Sequence, residues 1–108
     1  MPKGKLAAQA SHASIKAYMN TKEHENRNKL AGSISEWEET GSTKIVLAVN
    51  SEEELAECLK KALQNRVAAA YIVDEGRTVF GRPTATCVGV GPAPEEILNE
   101  LFGDLKLL

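Results

Sequence analysis

Two runs of apolar residues, KIVLAV at 44–49 and AAAYIV at 68–73, bracket a segment with a helical pattern. Each run is continuous rather than alternating, which is the pattern of a strand buried on both faces. Between them Ser51 and Glu54 form an S-x-x-E capping box, after which Leu55, Cys58, Leu59, Ala62 and Leu63 recur as one apolar stripe. Strand, helix and strand in that order predict a βαβ unit, with parallel strands and a right-handed crossover. The chain is thereby placed in the α/β class, and its 108 residues provide for a single domain with one modest core.

The flanking segments extend this pattern. Leu6, Ala10, Ala13 and Ala17 recur at helical steps, and alanine is the best helix former, so residues 4–19 are expected to be a helix. Residues 20–29 (NTKEHENRNK) are polar enough for a linker or for the solvated start of a second helix. That helix is anchored by Leu30, Ile34 and Trp37, reaches about Glu39 and is ended by Thr40 and Gly41. Residues 76–83 hold two glycines and a proline and read as a loop, followed by a short third strand at 86–90 (TCVGV). Pro94 suits a first helical turn, Glu95 and Glu96 complement the helix dipole, and the last helix runs to Phe102 before Gly103 stops it.

Charge and composition narrow the function. With 13 basic and 15 acidic residues the formal net charge is −2, which excludes coating nucleic acid by bulk charge but leaves room for a local basic patch. No apolar run approaches the roughly 18 residues that span a bilayer, and no basic segment leads into an apolar core at the start, so no membrane partner is expected and the default address is the cytoplasm. Cys58 and Cys87 lie inside apolar segments without metal-ligand spacing and read as buried thiols. His12 and His24 are far apart in sequence with no Cys or Asp clustered on either, so no metal is expected.

Two places carry residues suited to chemistry. Asp74 follows directly on the run AAAYIV, and in open parallel sheets ligands bind outside the carboxyl ends of the strands. Arg77 and Thr78 share its loop, and arginine suits bidentate phosphate contacts. A turn capped by Asp74 with a solvated Arg77 accounts for the same residues. At the start of the chain, Lys5, Gln9, His12 and Lys16 follow at steps of four, three and four, which stacks them along one helix face among alanines and serines. If that helix points its N-terminus at the strand carboxyl ends, Lys5 reaches the rim holding Asp74 and the helix start becomes an anion site. A solvated polar face explains the spacing too, and a histidine among alanines is more often hydrogen-bonded than a base. GVGP at 89–92 has proline where a dinucleotide fingerprint has its third glycine, and reads as a strand end and turn.

Three segments together, KGKLAAQASHA near the start, DEGRT at 74–78 and TCVGVGPAPEEILNELFGDLKLL to the end, resemble the type II peptidyl-tRNA hydrolases. The resemblance covers essentially the whole chain and is weakest in the middle. It implies hydrolysis of the ester joining a peptide to the terminal ribose of tRNA, with no cofactor, by an enzyme that is commonly a homodimer. It also implies a three-layer α/β/α fold around a small mixed, mostly parallel sheet of four strands, three of which are visible here. Carried over by motif, the catalytic residues fall on Lys5, Asp74 and Thr78. Gln9, His12 and Arg77 match motif positions near that site. Arg82 and Thr84, in a loop that departs from the family pattern, are further candidates for substrate binding, and Lys3, Lys5, Arg77 and Arg82 form the expected basic patch. The alternative on the same fold is a non-catalytic module that holds tRNA or a protein.

Two departures from the family pattern stand out. The apolar strand that usually precedes the first helix has no counterpart, since Met1 begins almost at the helix, so residues 1–108 are expected to be an N-terminally truncated version of the domain. A chain without that strand needs its open edge covered by residues upstream or by a second chain; otherwise it is poorly stable and inactive. The loop VFGRPTAT places Arg82-Pro83 before Thr84 where a proline-glycine pair is common, and Glu75 stands where a small residue is usual after the aspartate.

Overall fold

The computed structural model describes residues 1–28, 32–74 and 83–108. The chain is mixed α/β: helix α1 (Lys3–Asn28), helix α2 (Ser33–Glu39), strand β1 (Leu47–Ala48), helix α3 (Glu52–Gln64), strand β2 (Ala69–Asp74), strand β3 (Thr84–Val90), helix α4 (Glu95–Phe102) and strand β4 (Lys106–Leu107). Both ends of α3 are fixed by local chemistry. Ser51 Oγ accepts the Glu54 N–H at 3.1 Å as the capping box requires. At the other end Val67 N–H donates to the Ala62 carbonyl and Arg66 N–H to that of Leu63, a Schellman closure with Arg66 at φ 60° where glycine is usual.

Two sequence expectations are corrected here. The polar stretch from residue 20 neither links nor opens a second helix: it continues α1 without a break to Asn28. Pins to the sheet hold it there, since Asn20 Nδ2 donates to the Ala69 carbonyl at 2.9 Å and Thr21 Oγ1 to that of Gly91 at 2.8 Å. Tertiary hydrogen bonds of this kind override a sequence that looks solvated.

The parallel βαβ pairing is likewise replaced. Among the described residues β2 pairs with β3, antiparallel, from Ala69↔Val90 to Asp74↔Thr84. Strand β1 pairs instead with β4, also antiparallel, a strand not anticipated at residues 106–107. A continuous apolar run says nothing of direction, and burial on both faces is not found either: Ile45, Val46 and Val73 are exposed, and of 44–49 only Leu47–Ala48 forms a strand. The sides of β3 are divided. Gly89 meets Ala13 and Ala17 of α1, whereas Val88 and Val90 pack into a core built on Cys58, Ala62, Val67 and Phe102. Leu47 and Val49 bring β1 to that same core.

Within α1 the residues that face the sheet recur every fourth position: Gln9, Ala13, Ala17 and Thr21 are all buried. A Cβ at Gly89 would overlap the Ala13 carbonyl and sit 3.0 Å from Ala17 Cβ. Helix and strand touch backbone to backbone because neither side has anything larger than a methyl group. Gly89→Ala is therefore expected to destabilise the protein by about 1–3 kcal/mol, the usual cost of overpacking, read as a lowered urea midpoint; an unchanged midpoint would show that the contact yields freely.

Candidate active site

Lys5 belongs to the row of α1 that continues through Gln9, Ala13, Ala17 and Thr21. The helix runs antiparallel to β2, since Asn20 bonds Ala69 at the strand's start and Lys5 reaches Asp74 at its end. Lys5 Nζ lies 2.7 Å from Asp74 Oδ2, with the aspartate side chain 3% exposed and the lysine side chain 23%. Asp74 is the last residue of β2, so the ladder fixes its backbone while its side chain turns into the structure. Thr84 is its partner in register across the ladder and is half-buried.

One turn further along, Gln9 is buried and its Nε2 donates to Thr86 Oγ1 at 2.9 Å. This geometry depends on an irregularity in β3. Ile72 is paired with Cys87 and Val73 with Ala85, which leaves Thr86 as an extra residue in a β-bulge. The bulge lets adjacent residues serve the same side: Thr86 accepts from Gln9, and Cys87 Sγ donates to the Gln9 carbonyl at 3.2 Å. On its outer edge the bulged strand is engaged by Glu52 of α3, whose Oε2 accepts the Ala85 N–H at 3.0 Å.

The structure thus brings together Lys5, Gln9, Asp74 and Thr84 of the expected set. Thr86 and Glu52 are additions, and the sequence TATCVGV gives no sign of the bulge because it reads as an unbroken strand. The opening stripe is divided: Lys5 and Gln9 turn to the sheet, whereas His12 and Lys16 are exposed on the neighbouring row. Arg77, Thr78 and Arg82 lie outside the described residues. Among the described residues no group of three or more His, Cys, Asp or Glu side chains is arranged to hold a metal, and no helix is long and apolar enough to cross a membrane.

Chemically, a carboxylate and an ammonium in contact at the mouth of a strand can position a water and stabilise a developing negative charge. The neighbouring thiol is not suited to act as a nucleophile. Burial pushes the Cys87 pKa up, partly offset by its hydrogen bond with Thr86, and burial likewise raises that of Cys58. Because the thiolate is the reactive form, a raised pKa leaves less of it at any given pH. Both thiols should be alkylated by iodoacetamide near about pH 8 more slowly in the native protein than in urea, a difference that mass spectrometry reads site by site.

The family model described as peptidyl-tRNA hydrolase PTH2 matches residues 1–108. A peptidyl-tRNA hydrolase of Sulfolobus acidocaldarius is 40% identical over 108 residues, which is the whole of this chain and 90% of that protein. Peptidyl-tRNA hydrolases of Methanothermobacter thermautotrophicus and Methanococcus maripaludis are 39% and 42% identical, each again over the whole of this chain and 89% of their own length.

The Gln9–Thr86 bond also yields a stability test. Thr86→Val keeps the shape but leaves the buried amide without an acceptor, at a cost of about 1–3 kcal/mol. Adding Gln9→Leu removes the orphaned amide, so the double variant should melt in urea above the single one; a double variant that is worse by the sum of both changes would show that the two side chains are not coupled.

Proposed function

The chain belongs to the peptidyl-tRNA hydrolase PTH2 family and hydrolyses peptidyl-tRNA, and we propose that Asp74 and Lys5 are the groups that do so. The observation carrying this assignment is their 2.7 Å contact, with the carboxylate almost wholly buried. A buried ion pair is a poor device for stability, because desolvating both charges offsets most of their attraction. Groups held in this way are more at home in a reacting site than in a scaffold.

In this reading Asp74 orients a water and takes its proton as the water oxygen bonds to the ester carbonyl carbon. The carbonyl oxygen becomes an oxyanion, and the Lys5 ammonium, which has three N–H donors and needs one to hold Asp74, supplies another to it. Collapse breaks the bond to the ribose oxygen, which receives the proton, and the peptide leaves with a free carboxylate. Thr78 and Arg77 enter on the family resemblance and Arg82 on its charge, Thr78 as an aid to Lys5 in meeting the oxyanion and the arginines as partners for phosphates. Thr84 is assigned a substrate contact, a reading supported by its register with Asp74. Gln9 acts through Thr86: being buried, it sets the height of α1 over β3 rather than meeting the substrate. His12 is exposed one row away and is free to contact tRNA.

Finer features of the family complete the proposal: helices layered on both sides of the strands, a homodimer and a cytoplasmic place of action. Contact of α1 with one side of β3 and of the α3–α4 core with the other supports the layering. Asp74→Asn should slow release of free tRNA from N-blocked aminoacyl-tRNA by on the order of 10²–10⁴, and Lys5→Ala by on the order of 10²–10³. Turnover within a factor of a few of the parent in either variant would falsify the assignment.

A further inference from the structure

The net charge of −2 conceals an unequal distribution. Residues 1–22 hold four lysines and no acid, whereas the remainder holds nine basic and fifteen acidic residues. Lys3, Lys16 and Lys22 are exposed on α1, and none of them is in an ion pair among the described residues. Helices α3 and α4, whose core touches the other side of β3, expose Glu52, Glu53, Glu54, Glu57, Glu95, Glu96 and Glu100 against Lys60 and Lys61. A polyanion meets attraction on one side of this protein and repulsion on the other.

The two flanks of α1 also differ. On the flank of Tyr18 and Lys22, helix α2 is docked by the Tyr18–Trp37 ring contact at 5.9 Å and by the Tyr18 hydroxyl donating to Glu38 at 3.3 Å, and it brings Glu36, Glu38 and Glu39. The other flank is the row Ala8, His12, Lys16 and Asn20, four residues apart, and Asn20 reaches β2. Since α1 and β2 run antiparallel, this row leads from the Lys5–Asp74 pair along β2 toward Ala69. It carries Lys16 about 16 Å from Lys5 at ~1.5 Å per residue, and no acid stands on it before His24.

We infer that the tRNA body leaves the site along the flank of α1 that carries His12 and Lys16, with Lys16 on a backbone phosphate, and avoids both the α2 flank and the α3–α4 side. The inference rests on the proposed function for its substrate and adds the direction in which that substrate lies.

The test compares two esters with the same N-blocked aminoacyl group, one on full-length tRNA and one on a fragment of only the terminal CCA, across salt concentrations. For Lys16→Glu, KM on the full-length substrate should rise roughly fivefold to tenfold with kcat little changed, and the slope of log KM against log salt should fall by about one. KM on the CCA fragment should move far less. Lys22→Glu makes the same charge change on the flank closed by α2, and Glu57→Lys reverses an exposed charge on α3; each should shift KM by less than about twofold. Equal effects of Lys16→Glu and Lys22→Glu, an equal rise on both substrates, or no rise at all would each overturn the inference. If the parent protein hydrolyses neither ester, the proposed function has failed rather than this one. Binding of uncharged tRNA by the same variants, followed by fluorescence anisotropy, then decides the flank on its own, and affinity unaffected by Lys16→Glu rejects it.

Discussion

The contact between α1 and β3 at Gly89 sets the position of everything at the site. With no side chain on the strand and only Ala13 and Ala17 on the helix, the two backbones come together without an intervening layer. At that separation Gln9 reaches Thr86, Thr21 reaches the Gly91 carbonyl, and Lys5 reaches Asp74. The three bonds span four turns of one helix row, so the helix cannot rise at one end without straining the others. A larger residue anywhere along this seam would lengthen all three, and the polar groups it separated are buried ones, whose loss of a partner costs more than the bond itself contributes.

This seam explains how a protein of modest core holds a buried ion pair. The pair contributes little to folding, and its desolvation must be offset elsewhere. The offset comes from the apolar packing on the far side of the sheet, where Phe102, Ala62 and Val67 gather helices α3 and α4 and strand β1. Apolar packing and the ion pair thus lie on the two sides of β3, and the bulge at Thr86 shifts the side-chain alternation two residues after Thr84, the partner position of Asp74.

Helix α3 with its capping box and the last helix with its stop at Gly103 were legible in the sequence because each depends on local pattern. The approach of Lys5 to Asp74 was legible as a conditional reading of the opening stripe. The burial of Asp74 was not, since a residue that ends a strand before a glycine-containing loop looks like part of an open rim. The strand directions were not legible, since a run of apolar residues carries no mark of whether its neighbour runs parallel or antiparallel. Strand β4 was missed because two exposed residues form no pattern, and only Leu47↔Leu107 and Ala48↔Lys106 define it. The full length of α1 was hidden by its polar second half, where Asn20 and Thr21 look like solvated residues and are instead hydrogen bonds to the sheet. The four-three-four stripe misled in a related way: helical spacing puts Lys5, Gln9, His12 and Lys16 within one broad face, but the burial boundary runs through the middle of it. Period alone gives neighbours on a helix, and only the partner decides which of them face inward.

That boundary has its own use. A row turned to the sheet can hold a hydrogen-bond donor for a developing charge rigidly, but a residue buried there cannot also grip a large substrate. The next row, turned outward, can grip without being fixed. On the proposed reading the division of lysines between the rows gives one helix both roles: Lys5 is held by Asp74, while Lys16 is an exposed, hydrated ammonium, which suits a salt-dependent contact with phosphate. Ten of the fifteen acids lie on α2, α3 and α4, and none precedes Glu23 on α1. A nearly neutral protein can thus still present a positive face toward the start of that helix, and on the proposed reading orientation rather than net charge selects the side from which a polyanion arrives.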